Sequence, residues 1–245
     1  MKAIFTGLNG TVAPYVKQYF EAHGYEVIPY DRNKVPIDDD RKIREFFNEV
    51  NPNLVIHFAM GPVSWTAVLA RISYEKNIKF VYISTVSVFS NDNFGPHDIL
   101  SIPDASDDYG QYKRNSEEVA RKVNPLAYII RLGWQIGYEK GTNNMIDFLS
   151  KRMEQDGIIH ASDAWYPSTS FIKDTAAALY QIITKLNSGL YHVNSNDNLT
   201  FYEIVKGLST MYPEFKVEKT NDFKADHRMV DERVEIPKLS EIFKK

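Results

Sequence analysis

The chain has no cysteine, so disulfides, thiolate catalysis and thiolate metal sites are excluded. It has almost no charge imbalance. Against 29 Lys and Arg stand 32 Asp and Glu, a net charge of −3, which gives no electrostatic case for nucleic acid or an anionic membrane. It has no apolar run long enough to cross a bilayer and opens directly on strand-forming residues, so the expectation is a cytoplasmic protein without a membrane span. No His, Asp and Glu cluster falls at ligand spacing, and no metal is expected. What is present is ordinary for a globular protein of 245 residues: 43% hydrophobic and 25% charged, with an aromatic-rich complement of 15 Tyr, 14 Phe and 3 Trp.

The most informative stretch comes first. Ala3-Ile4-Phe5 reads as a buried strand, followed by a turn with Gly7 and Gly10 three apart and Ala13 three later. A backbone that must turn sharply and approach a pyrophosphate needs positions without a Cβ, and the free amides of the following helix then face the phosphates. Val12 to His23 has helical apolar spacing with Pro14 in its first turn, and Gly24 ends it. Residues 25–30 form a second strand with Asp31 at its end, where an acid can accept from an adenosine ribose and favours NAD. Arg32 beside it could hold a 2′-phosphate and favours NADP, so the cofactor is left as NAD or NADP.

Asp38 to Asp40 cap a helix over Arg41 to Val50. Leu54 to Ala59 is a third strand, ending in Met60-Gly61-Pro62, with His57 expected as a satisfied core histidine. A helix from about Trp65 to Lys76 and a fourth strand from Lys79 to Ile83, running into Ser84-Thr85, complete three strand–helix alternations. Such alternation predicts an α/β fold of Rossmann type, with a doubly wound parallel sheet. Ligands bind such sheets at the C-terminal strand ends, which puts Gly7, Asp31, Ala59 and Thr85 on one crevice.

Tyr109 and Lys113 open the next helix on one face, a pairing suited to acid–base work because an ammonium near a phenol lowers its pKa. The spacing alone is not selective, since Tyr30/Lys34, Tyr202/Lys206 and Tyr212/Lys216 share it. Only Tyr109/Lys113 follows the Ser-Thr strand end and opens a helix. Thr85 can orient a carbonyl or alcohol there.

TGLNGTVA, VIHFAM, YISTVSVF and YGQYK, in that order, together with Ile129-Ile130-Arg131 followed by Trp134, resemble the extended short-chain dehydrogenase/reductase family. Within it the chain is most similar to the dTDP-4-dehydrorhamnose reductases and their sugar-nucleotide-binding relatives, over nearly its whole length. The resemblance implies Thr85, Tyr109 and Lys113 as a catalytic trio. Tyr109 would exchange a proton with the substrate oxygen, Lys113 would hold the nicotinamide ribose, and Thr85 would bond the reacting oxygen. Gly7, Asn9, Gly10, Thr11, Val12, Asp31, Arg32, Phe58, Ala59 and Met60 would line the cofactor. The implied activity is NAD(P)-dependent reduction of a 4-keto sugar on a nucleotide, with an epimerase or dehydratase, or a non-catalytic dinucleotide-binding regulatory subunit, as alternatives. Two departures touch the substrate pocket: the Met60–Trp65 segment is short, and Val86-Ser87 replaces the Asp-Tyr of the rhamnose-pathway reductases.

The second half predicts a strand at Leu126–Arg131, a Trp134–Thr142 loop, helices near Asn144–Gln155 and Ile172–Leu186, a short strand at Gly157–His160, a strand at 191–193 and a helix after Thr200. The tail from Asp226 to Leu239 carries little periodicity. Residues 1–135 are expected to form the dinucleotide-binding core, with later segments returning to it, and 136–245 a smaller, interleaved substrate-binding lobe. Trp134, Trp165 and Tyr166 either stack on the substrate or pack the seam between lobes. Arg228 either binds a diphosphate or forms a salt bridge. Ser87 joins Thr85 as a substrate contact. The expected partner is a nucleotide sugar, and a homodimer is compatible with the sequence.

Overall fold

The computed structural model describes residues 1–138 and 142–244. The first half alternates as expected: β1 (Lys2–Thr6), α1 (Ala13–Ala22), β2 (Glu26–Pro29), α2 (Asp40–Val50), β3 (Leu54–His57), α3 (Val63–Glu75), β4 (Lys79–Thr85), α4 (Asp108–Val123) and β5 (Tyr128–Leu132). Then follow β6 (Trp134–Ile136), α5 (Met145–Asp156), β7 (Ile159–Ser162), β8 (Trp165–Tyr166), β9 (Thr169–Phe171), α6 (Ile172–Lys185), β10 (Leu190–Val193), α7 (Phe201–Ser209), β11 (Val217–Thr220), β12 (Ala225–Asp226) and α8 (Leu239–Ile242).

Six parallel strands form the central sheet in the order β10-β5-β4-β3-β1-β2. The chain steps from β1 outward to β2, then crosses back to β3 on the other side of β1. The crevice opens at that reversal, between the ends of β1 and β3. The strands read as continuous apolar runs because both faces are covered. Phe5, Ile56, Val81, Ile83 and Ile130 face α1 and α6, while Ile4, Val55, Phe80, Tyr82 and Ile129 face α2, α3 and α4. The period-two alternation of strand side chains separates the two cores.

A third apolar cluster lies outside the sheet, built on Ile136, Leu149, Phe171, Phe201, Ile204 and Leu208. Local chemistry fixes the helix starts. Asp39 accepts from the Lys42 amide (3.0 Å), Asn144 from Asp147 (3.1 Å), and Thr200 with Glu203 completes a reciprocal capping box.

Two expectations are corrected. Trp134–Thr142 does not begin as loop, because Trp134–Ile136 is β6, paired with β9; residues 139–141 of that loop lie outside the described residues. The short strand expected at Gly157–His160 begins at Ile159, because Gly157 (φ +71°) is the left-handed cap that ends α5. The tail from Asp226 to Leu239 is irregular as expected, with an isolated bridge from Met229 to His97; ahead of it β11 pairs with β7 and β12 with β8. Strands of two to four residues are too short to show alternation, and lateral hydrogen bonding defines them.

Candidate active site

The turn after β1 is shaped by close approach. Gly7 has φ +71°, and a Cβ there would lie 2.9 Å from the Ala59 nitrogen. The Gly10 amide donates to the Gly7 carbonyl (2.9 Å), closing the turn. No side chain caps α1; Pro14 has no amide proton and the Tyr15 amide donates to the Val12 carbonyl (3.1 Å), which leaves the Ala13 amide at the helix start for an external acceptor. Asn9 and Gly10 are exposed and Thr11 and Val12 half-buried, with the Thr11 hydroxyl donating to the Asn143 carbonyl at 3.5 Å.

Beneath the turn, Thr6 ties the ends of β1 and β3. Its Oγ1 accepts from the amides of Phe58 (3.1 Å) and Ala59 (3.0 Å), so its own proton goes to His57 Nδ1 (2.8 Å). His57 therefore carries its proton on Nε2 and donates it to Thr66 Oγ1 (3.0 Å). Burial, with Lys113 and Arg32 adding like charge, lowers its pKa to about 3. It is a neutral, satisfied core residue.

At the end of β2, Asp31 accepts from the Asn33 amide (2.9 Å) in a local turn. Arg32 donates to the Met60 carbonyl and lies 4.7 Å over the Trp65 ring. It thus bridges the ends of β2 and β3, on the crevice rim. Phe58 is half-buried against Phe5 (5.6 Å), and Met60 is exposed.

Three candidate catalytic side chains converge where β4 meets α4. Asp107 caps α4 by accepting from the Gly110 amide (2.9 Å). Gly110 permits that seat, because a Cβ there would fall 2.2 Å from the Ser87 carbonyl oxygen. Tyr109 remains 42% exposed, while Lys113 is only 4% exposed and donates to the Ile83 carbonyl (2.8 Å). The Lys113 ammonium stands 6.0 Å from the Tyr109 ring centroid and 5.0 Å from that of Tyr82. Thr85 Oγ1 donates to Ser87 Oγ (3.3 Å) and accepts from the Ser87 amide (3.2 Å).

The electrostatics correct one expectation. Lys113 does not draw the Tyr109 phenol down; loss of water around the phenol pushes its pKa up, with the Thr85 hydroxyl opposing and Tyr112 and Asp107 adding to the rise. The phenol is a neutral proton donor through neutral pH. Burial lowers Lys113 to about 8, opposed by Glu117.

A cavity of about 200 Å³ joins the two halves of the site, lined by Gly7, Gly10, Thr85, Tyr109, Lys113 and Gln135 among others. A second cavity of about 430 Å³ adjoins it, where Ser87, Phe89, Asp92, Ser106, Asp107 and His227 meet.

The other residues named from the sequence are engaged elsewhere. Trp134 and Trp165 stack on one another (6.3 Å), Trp165 lies 4.7 Å from Phe201, and its indole donates to His227 Nδ1 (3.1 Å), so both indoles pack the edge of the third cluster. Arg228 is held by Asp226 through Nε (2.9 Å) and Nη2 (2.6 Å), donates to the Asp197 carbonyl (2.7 Å) and lies over Tyr166. The salt bridge is the arrangement found. Sequence reasoning missed Thr6, Gly110, Gln135, His227 and the buried pair Glu117–Arg131. A Glu four residues past Lys113 and an Arg inside the apolar run Ile129–Leu132 were the available signals for that pair.

The fold is of Rossmann type. It superposes on a dTDP-4-dehydrorhamnose reductase from Bacillus anthracis, solved in complex with NADP, with a TM-score of 0.81 at 19% identity over 99% of this chain and 97% of that one. The corresponding enzyme from Clostridium acetobutylicum gives 0.80 at 21% identity, over 95% and 91%. Among sequence relatives, the spore coat polysaccharide biosynthesis protein SpsK of Bacillus subtilis is 25% identical over 227 residues, covering 84% of this chain and 78% of that protein. The chain belongs to the RmlD substrate binding domain family, whose model matches residues 62–225. The resemblance drawn from the sequence motifs is borne out.

Proposed function

We propose that this protein is an NAD(P)H-dependent reductase of a nucleotide-linked 4-keto sugar. One observation carries the reading: the Gly7–Gly10 turn and the Thr85, Tyr109 and Lys113 side chains open into a single cavity. Relatives point the same way, among them a dTDP-4-keto-6-deoxy-D-glucose reductase from Streptomyces niveus, 19% identical over 83% of this chain.

The residues present fit a dinucleotide. The cradle at Gly7 is one a Cβ would fill, and the start of α1, with no side-chain cap, would offer the Ala13 amide and the positive end of its dipole to a diphosphate. Arg32, at the end of β2 with its charge only partly met by a carbonyl and a ring, would take an adenosine 2′-phosphate. The cofactor, when bound, supplies the hydride. Lys113 would hold the nicotinamide ribose. Tyr109 would donate its phenolic proton to the ketone oxygen, and Thr85 would hydrogen-bond that oxygen. Tyr109 is held neutral, which suits proton donation in the reductive direction. The second cavity, polar and bordered by Ser87 and Asp107, would take the sugar. Lys113 loses its charge as pH rises through about 8, so activity should fall on that alkaline limb. Purified protein mixed with NADH or NADPH and a 4-keto-sugar nucleotide tests the reading: net loss of nicotinamide absorbance supports it, and none refutes it.

A further inference from the structure

Helix α4 carries Tyr109, Lys113 and Glu117 at four-residue intervals, and therefore on one face. Glu117 is buried, and its carboxylate receives Arg131 Nε on one oxygen (2.9 Å) and Nη2 on the other (2.7 Å). Arg131 Nη1 donates to His192 Nε2 (3.3 Å), so His192 carries its proton on Nδ1 and donates it to the His97 carbonyl (3.2 Å). Burial and the neighbouring guanidinium lower the His192 pKa to about 4, so it stays neutral. The His192 amide donates to Asp231 (3.2 Å). The carboxylate of Glu117 is thereby fixed from α4 through β5 and β10 to the tail.

A buried ion pair of this kind adds little to stability that apolar side chains of the same volume would not supply. Its placement suggests a different use. Around Lys113 stand His57 on β3 and Tyr82 on β4, both neutral, and Tyr109 and Glu117 on α4, the last with its carboxylate committed to Arg131 on β5. Among the described residues, Glu117 is the anion one helical turn from the Lys113 ammonium.

We propose that Glu117, clamped by Arg131, is a positioning residue for Lys113: its negative charge, one helical turn away, keeps the ammonium protonated beside the cofactor cavity. This rests on the dinucleotide reading above.

The test is the pH dependence of NADPH and NADH binding, followed by nicotinamide fluorescence, in the wild type and Glu117→Gln. Glutamine keeps the shape and one acceptor while removing the charge. The alkaline midpoint for loss of affinity should move down by about 1 pH unit, the low end of the effect of one adjacent charge, while affinity at pH 6 changes less than threefold. Glu118→Gln, on the exposed neighbour, should leave the midpoint in place. Should Glu117→Gln not fold, Glu117→Gln/Arg131→Gln leaves no buried charge unpaired, and its midpoint should also fall. An unmoved midpoint in the folded variant overturns the proposal. A wild type that binds neither nucleotide overturns the dinucleotide reading, and this inference with it.

Discussion

Replacing Lys113 by Met should stabilise the protein while removing its function. Lys113 is 4% exposed, and burial takes its pKa from 10.5 to about 8. At about 1.4 kcal/mol per pH unit, the charged form costs ~3 kcal/mol in the folded state. Methionine fills much of the same space and gives up the bond to the Ile83 carbonyl, worth about 1 kcal/mol. The net gain is ~2 kcal/mol, or about 4–8 °C in Tm for a chain of this length. The sign with pH follows from the lowered pKa. The folded state binds this proton less tightly than the unfolded chain, so the cost is fully present below pH 8. It fades as pH rises from there toward 10.5. Scanning calorimetry of both proteins across that range should show the variant's advantage at its largest near neutrality and narrowing above pH 8. Cofactor titration should show affinity lost at every pH. A variant less stable than wild type at neutral pH, or a difference that does not change with pH, would refute the reasoning.

Other perturbations test other parts of the site. Tyr109→Phe should lower turnover by about 10²–10⁴ with cofactor affinity nearly intact, and steady-state kinetics beside a binding titration would show it. Arg32→Ala should weaken NADPH more than NADH, as paired titrations would reveal; an equal loss would remove Arg32 from the 2′-phosphate. Thr6→Val strips partners from His57 Nδ1 and the Phe58 and Ala59 amides, and should cost about 3 kcal/mol or more in urea denaturation. Gly10→Val should abolish cofactor binding by obstructing the turn, where even a Cβ lies 3.2 Å from the Gly7 carbonyl.

The sheet was legible because its strands are buried on both faces and carry unbroken apolar runs such as Leu54–Ile56 and Phe80–Ile83. The Gly-rich turn was legible because close approach demands glycine, and position rather than spacing singled out Tyr109 and Lys113. Three things were not. Which partner a polar side chain takes is decided largely by tertiary neighbours, so Arg228 reaches the Asp197 carbonyl and Tyr166, and Arg32 the Met60 carbonyl and Trp65. The direction of the Tyr109 shift is set by loss of water around the phenol, which the four-residue spacing to Lys113 does not carry. The strands at Trp134–Ile136 and Ala225–Asp226 exist only by pairing with segments far along the chain.

The central claim is most directly tested by incubating the protein with a limiting amount of NADPH, or of NADH, and an excess of dTDP-4-dehydrorhamnose. The account predicts oxidation of the nicotinamide in step with the appearance of an alcohol at the sugar's C4. Tight binding of nucleotide and sugar with no net oxidation would contradict it, and would fit a nicotinamide that is recycled or merely held.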